Sequence, residues 1–219
     1  MDKLILVTRP KYDDGTEYLS AYASEVLKEA ESLNVEVKDF EGIKANRKEV
    51  EKYLSIKKPN LLFLNGHGNE NEICGHDGEI IFSLSNVSLL KDKITYARAC
   101  FAALNLGVHA VKDSKGCFIG YIYPFSFWID DKRSATPLKD KTASFYLTPS
   151  NEIILSFLKG KTAKEADERS RKIMVDNMRK ILVMEQRNEP CATGMLQILW
   201  GNYDGQTVLG NEEARINNF

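Results

Sequence analysis

Two short stretches of the sequence combine reactive side chains with small residues. His67 lies in the tetrapeptide Asn-Gly-His-Gly, directly after the apolar run 61–64, and Cys100 closes a second apolar run in Ala-Arg-Ala-Cys. An imidazole can stabilise a thiolate, and a thiolate attacks a carbonyl carbon to form a covalent intermediate. The glycine on either side of His67 allows close backbone approach, so the Gly68 N–H group could point at a developing oxyanion. The two stretches are therefore a candidate site for nucleophilic catalysis.

The elements that must position these residues follow from the spacing of apolar side chains. Strands are predicted at residues 3–8, 35–40, 61–64, 94–99 and 116–122, with a small hairpin that turns at Asp77-Gly78. Helices are predicted at residues 16–33, 45–57, 101–111, 151–159 and 162–186. Thr162 and Glu165 have the spacing of a capping box. Residues 194–211 are punctuated by glycine and yield no assignment.

The order of these elements predicts the fold class. Strand and helix largely alternate, which is typical of a mostly parallel sheet between two layers of helices. We therefore expect a three-layer α/β/α sandwich forming one domain over residues 1–219. In such a sheet, ligands and catalytic groups collect beyond the carboxyl ends of the strands. His67 and Cys100 both follow strand ends, and they face one crevice if their strands are neighbours.

Composition excludes several classes of partner. The 30 basic and 31 acidic residues nearly cancel, so no overall field attracts the chain to nucleic acid or an anionic membrane. The apolar run near the N-terminus is too short for a signal peptide, and no run approaches the length of a membrane span, so a cytoplasmic location is expected. The four cysteines lack zinc-site spacing and suggest no disulfide framework.

The two motifs, taken with their order and strand context, resemble those of the caspase-like cysteine peptidases. This clan includes caspases, gingipains, separases and CHAT domains. The sequence looks most similar to the CHAT domains and the gingipains. The matching segments are "NGHG", "ARAC" and "GCFIGYIYPF", followed by "FLKGKTAKEADERSR" and "LWGNYDGQTVLG". The resemblance extends from Leu61 to the C-terminus, whereas the first two strand-helix units agree in layout only.

The resemblance implies a caspase-like sheet and a role for each residue of the motifs. His67 would be the general base or acid, and Cys100 the nucleophile that forms a thioester with the substrate. The N–H groups of Gly68 and Cys100 would form the oxyanion hole. No metal or organic cofactor would be required. The substrate would be an extended polypeptide, and a regulatory protein or an activating ligand would complete the active conformation.

Substrate preference is predicted from Arg98, two residues before Cys100. Alternation along the strand places both side chains on one side of the sheet. Several relatives have an acidic residue here that accompanies basic substrates, so a guanidinium predicts Asp or Glu at the P1 position. Asp130 and Asp131 favour the opposite, a basic P1 residue. They follow the aromatic stretch from Tyr123, where Trp128 is the most site-like side chain.

Three other interpretations remain open at this stage. A cysteine among alanines is commonly a buried packing residue, and a histidine between glycines is commonly an exposed turn residue. The chain could also be a protein-interaction module that has the peptidase fold without its chemistry. Another cysteine-dependent α/β hydrolase or amidotransferase is the third possibility, although there the histidine normally follows the cysteine.

Overall fold

Six strands form one sheet at the centre of the protein. The computed structural model describes residues 3–218, so the two ends of the predicted range 1–219 lie outside it. The sheet contains β1 (Leu4–Arg9), β2 (Glu36–Glu41), β3 (Leu61–Asn65), β6 (Ile94–Arg98), β7 (Cys117–Tyr121) and β8 (Gln206–Gly210), while β4 (Glu72–Cys74) and β5 (Ile80–Ser83) pair separately. The strand order is β2-β1-β3-β6-β7-β8, and only β8 is antiparallel to its neighbour.

Helices cover both faces of this sheet. They are α1 (Asp14–Ser32), α2 (Arg47–Ile56), α3 (Leu106–Val111), α4 (Lys141–Leu158), α5 (Ala163–Gln186) and α6 (Ala192–Gly205). One apolar core joins the sheet to α1, α4 and the start of α5, and a second joins the opposite face to α2, α3 and the β4-β5 hairpin. A third cluster packs α4, α5 and α6 together. The predicted three-layer α/β/α fold is confirmed.

The central strands show why the apolar runs predicted them correctly. Every residue of β1, β3, β6 and β7 is buried, as expected for strands covered by helices on both faces. The hairpin turn is also confirmed, with Asp77 at φ 52° and Gly78 at φ 73°. Thr162 and Glu165 form the predicted capping box of α5. None of the helices in residues 3–218 combines the length and the apolar character needed to cross a bilayer.

Three segments differ from the prediction. Residues 101–105 form turns rather than the start of a helix, because Phe101 has a φ of 58° and its N–H donates to Tyr123 O on the neighbouring segment. Helix α4 begins at Lys141, ten residues earlier than predicted, with Asp140 as its N-cap. It continues through Pro149, which is buried inside it. The unassigned C-terminal stretch folds into α6 and the edge strand β8.

A fully buried arginine ties the layers together below the candidate site. Arg98 has no exposed surface. Its Nε donates to Asn65 Oδ1 at 2.6 Å, Nη1 to Asn151 Oδ1 at 3.0 Å, and Nη2 to Leu19 O at 2.9 Å. These acceptors belong to β3, α4 and α1. The guanidinium also stacks over the Phe63 ring, 4.6 Å from its centroid. One side chain therefore links two strands to both helices above them.

Replacing Arg98 with methionine should destabilise the fold strongly. The substitution keeps the approximate side-chain length but removes the donor from the buried Asn65 and Asn151 amide oxygens, so we expect a loss of about 3 kcal/mol or more in the free energy of unfolding. Urea denaturation measures this loss. The matched control is Arg179→Met, because Arg179 is exposed and pairs only with Asp176 among the residues that the structure describes. That variant should stay within about 0.5 kcal/mol of wild type. Equal stability of the two variants would contradict the role of Arg98.

Candidate functional site

The register of the sheet brings His67 and Cys100 to the same edge. Asn65, the last residue of β3, pairs with Arg98, the last residue of β6. His67 and Cys100 each lie two residues further along their chains. Because neighbouring strands are about 4.8 Å apart, the two residues stand beside each other at the carboxyl ends of adjacent parallel strands. The two strands are therefore neighbours, which is the condition that the predicted site required.

Two glycines let the chain turn tightly at this point. A Cβ atom on Gly66 would lie 2.2 Å from Cys74 O, and Gly66 has a φ of 148°. A Cβ atom on Gly68 would lie 2.7 Å from Glu72 O, 3.0 Å from Ala99 Cβ and 3.5 Å from Cys100 O. Only glycine fits in either position without a shift of the neighbouring backbone. The backbone of Gly68 thus packs directly against the segment that carries the thiol.

The segment that carries His67, residues 66–71, will be called the histidine loop. Cys74 N–H donates to His67 O at 2.8 Å and Asn69 N–H donates to Glu72 O at 3.0 Å. These bonds flank an isolated bridge between Gly68 and Ile73, and they leave the Gly68 N–H unused in that bridge. The Gly68 N–H group therefore points away from Ile73.

The histidine loop is also held by the segment that follows Cys100. Leu106 N–H donates to Glu70 O at 2.8 Å, and Asn105 Nδ2 donates to Asn71 Oδ1 at 2.6 Å. Both donors lie at the start of α3, immediately after the turns that begin at Phe101. The histidine loop therefore contacts the chain on both sides of these turns, through Gly68 before them and through Glu70 and Asn71 after them.

Cys100 is partly buried, and its thiol faces a backbone carbonyl. Its Sγ lies 3.7 Å from Phe125 O and donates a weak hydrogen bond to it. Burial raises the pKa of the thiol above its ordinary value. The side chain is therefore protonated in this arrangement and needs a base to become a nucleophile.

Phe125 belongs to the aromatic loop, residues 123–137, which α6 holds in place. Asn202 Oδ1 accepts from Ser126 N–H at 3.0 Å, while Asn202 Nδ2 donates to Ser126 O at 2.6 Å. Ile122 N–H, just before the loop, donates to Gly205 O at 2.8 Å. Helix α6 thus determines where the carbonyl that contacts Cys100 lies. The sequence did not predict this helix or its role.

His67 has a partner that sequence reasoning missed. Its Nε2 lies 2.7 Å from Asp13 Oδ2, and both side chains are partly exposed, at 56% and 39%. Asp13 is the N-cap of α1. The available signal was its location: it follows β1, the strand beside β3, and Thr16 stands three residues later as in a helix start. Asp13 comes close to His67 because β1 and β3 are adjacent in the sheet.

Arg98 lies below the site rather than on its surface. Its side chain is completely buried, and the three acceptors that bind it are neutral. No carboxylate within residues 3–218 forms an ion pair with it. Burial lowers the pKa of the guanidinium to about 10, so the group remains charged at neutral pH. Another side chain can reach this charge only if the residues that bury it move.

The remaining predicted substrate residues, Trp128, Asp130 and Asp131, lie on the aromatic loop. Trp128 packs on α6, where a Cβ atom at Gly194 would come within 2.9 Å of its ring. Asp130 accepts from Lys132 N–H and begins a short turn that contains the exposed Asp131. In the described part of the chain, neither aspartate forms a hydrogen bond or ion pair with His67, Arg98 or Cys100.

No group of three or more His, Cys, Asp or Glu side chains within residues 3–218 is arranged to hold a metal ion. All four cysteines are free thiols. Comparison with known protein families finds no matching family model, and comparison with curated proteins finds no similar sequence. The chemistry of the site therefore has to be argued from its own residues.

Substituting alanine for Gly68 should disturb this site. The new Cβ would overlap Glu72 O, so we expect the free energy of unfolding to fall by about 1 to 3 kcal/mol. Urea denaturation gives the value. Gly201→Ala is the matched control, because no atom lies within 4 Å of its Cβ position in α6. That variant should gain about 0.5 to 1 kcal/mol. A Gly68→Ala protein as stable as wild type would contradict the close packing described here.

Proposed function

We propose that this protein is a cysteine endopeptidase that uses His67 and Cys100. The observation that carries the proposal is their common place at the carboxyl ends of adjacent parallel strands, with the Gly68 backbone against the thiol segment. Parallel sheets place ligand sites at this edge. The resemblance of the two motifs to those of caspase-like peptidases, CHAT and gingipain types above all, supports the same reaction.

The reaction follows from the chemistry of the two side chains. The Sγ proton of Cys100 passes to His67, the sulfur bonds to the scissile carbonyl carbon, and the carbonyl electron pair moves to oxygen. The N–H groups of Gly68 and Cys100 would stabilise that oxyanion. Collapse breaks the C–N bond, and the amine leaves with the proton from His67. Water then hydrolyses the thioester, which releases a carboxylate and restores the thiol. None of these steps requires a metal or an organic cofactor.

The resting thiol suggests how activity would be controlled. Cys100 is protonated and bound to Phe125 O, so it must turn away from the aromatic loop before His67 can activate it. We propose that an extended polypeptide substrate, a regulatory protein or a ligand shifts this loop and releases the thiol.

The same observation favours a second candidate function. A buried, protonated thiol with a carbonyl as its partner is also what an inactive protein-interaction module of this fold would contain. The two candidates differ in whether Cys100 reacts faster when His67 is present. The exposed hydrogen bond between His67 and Asp13 favours the peptidase, because a polar contact as exposed as this one contributes little to stability.

We further propose a preference for Asp or Glu at P1. Arg98 is a buried cation whose hydrogen-bond acceptors are all neutral, so a substrate carboxylate would supply its missing counter-charge. To reach the guanidinium, that carboxylate would replace a neutral acceptor such as the Asn151 amide.

Selective labelling of Cys100 tests the peptidase proposal. Native protein is treated with peptide acyloxymethyl ketones, and the modified residue is identified by intact mass and peptide mapping. We expect modification at Cys100, none in Cys100→Ala, and a rate about 100-fold lower in His67→Ala because the base is missing. Cys74→Ala, which removes another partly buried thiol, is the control and should label normally. A rate that does not depend on His67 would favour the interaction module.

A matched peptide series tests the P1 preference. Substrates that end in Asp, Glu, Arg, Lys or Leu are compared by kcat/KM. We expect the acidic peptides to exceed the leucine peptide by about tenfold, since a charge-assisted hydrogen bond to the buried guanidinium is worth roughly 1.5 kcal/mol or more. Preferential cleavage after Arg or Lys would contradict the role of Arg98. It would assign P1 recognition to Asp130 or Asp131 instead.

A further inference from the structure

Asp13 uses its two carboxylate oxygens for two different tasks. Oδ1 accepts from Thr16 N–H at 2.7 Å and caps α1, while Oδ2 lies 2.7 Å from His67 Nε2. In return, Thr16 Oγ1 accepts from Asp13 N–H at 3.1 Å and completes a capping box. The contacts at the start of α1 therefore fix the orientation of the carboxylate independently of His67. The imidazole is held by a group that is itself rigidly placed.

We infer that Asp13 is a positioning residue that holds His67 by Nε2 and leaves Nδ1 as the nitrogen that exchanges a proton with Cys100. The inference rests on the proposed peptidase function and assigns a third participant to it. Neither the motif around His67 nor the motif around Cys100 contains this residue.

The charge of the Asp13 carboxylate determines which ring nitrogen of His67 carries the hydrogen. Burial alone would raise the pKa of Asp13, but the hydrogen bonds from Thr16 N–H and from His67 outweigh it and lower that pKa below its ordinary value. The N-terminus of the 19-residue helix α1 also favours a negative charge here. An ionised carboxylate can only accept, so Nε2 must carry the hydrogen. A neutral imidazole with Nε2–H has its free lone pair on Nδ1.

The surroundings restrict the ring and the carboxylate further. The Tyr12 ring meets the His67 ring edge-on, with 6.0 Å between centroids. The segment before Asp13 is anchored as well, because Lys11 N–H donates to His76 Nδ1 at 3.2 Å and Arg9 pairs with Asp39. A pair as exposed as this one contributes little to stability. We therefore attribute to these contacts the orientation of the imidazole.

Two substitutions separate the positioning role from the capping role. Asp13→Ser keeps a good N-cap but is too short to reach His67, and Asp13→Asn keeps the cap and the size without the charge. Asp14→Asn is the matched control, because it removes the same charge one residue away from an exposed position. All three variants should retain the wild-type urea midpoint, which shows that α1 is intact.

The first readout is the tautomer of His67, measured by nitrogen-15 NMR of the full chain, which contains only three histidines. We expect the Nε2–H form in wild type and Asp14→Asn, and a mixture of tautomers in Asp13→Ser. The second readout is the labelling rate of Cys100 by the peptide ketone. We expect it to fall by about tenfold or more in Asp13→Ser and Asp13→Asn, and to stay unchanged in Asp14→Asn.

The outcomes distinguish this inference from the proposal on which it rests. An Nδ1–H tautomer in wild type, or a tautomer unchanged in Asp13→Ser, would overturn the inference even if Cys100 labels rapidly. Wild-type labelling rates in both Asp13 variants would also overturn it. Labelling of the wild-type chain that is no faster than that of His67→Ala would instead refute the peptidase proposal, and the role of Asp13 with it.

Discussion

The structure depends on a positive charge buried at the centre of its sheet. Arg98 is surrounded by β3, β6, α1 and α4, and it has neutral acceptors where a buried ion would ordinarily have a carboxylate. The Asn65 amide that accepts from it also donates to Thr8 O at 2.7 Å, which extends the contact to β1. The Asn151 amide likewise donates to Tyr22 O at 2.7 Å. Arg98 and its acceptors thus connect the ends of the strands from which the histidine loop and Cys100 extend.

The candidate site shows how a parallel sheet brings together residues that are far apart in sequence. His67 and Cys100 come together because β3 and β6 are neighbours in register, and Asp13 joins them because β1 is the next strand along. Three chain segments that are far apart in sequence meet because three strands end at one edge. The side chains then need only local fixing, by an N-cap, a bridge and two close-packed glycines.

The sequence predicted the central strands and the ends of β3 and β6 because both depend on local signals. Continuous apolar runs identified four fully buried strands, and glycines beside a polar residue marked a strand end. The start of α4 was missed because Pro149 interrupts the helical pattern, although packing accommodates it. Residues 101–105 were wrongly predicted as helix because their N–H groups reach Tyr121 and Tyr123, a contact that no local pattern reveals. Asp13 and α6 were missed for the same reason, since their importance lies in what they touch across the fold.

The clamp between Asn202 and Ser126 has a consequence for the order in which the site is assembled. The thiol and the imidazole are both present once the first hundred residues have been synthesised, but the aromatic loop receives its final support only from Ala192–Gly205, and β7 its second neighbour only from Gln206–Gly210. A nascent chain therefore has its reactive groups long before it has their surroundings. During translation, the cysteine is an ordinary thiol on an unfinished sheet, and it acquires its particular environment last.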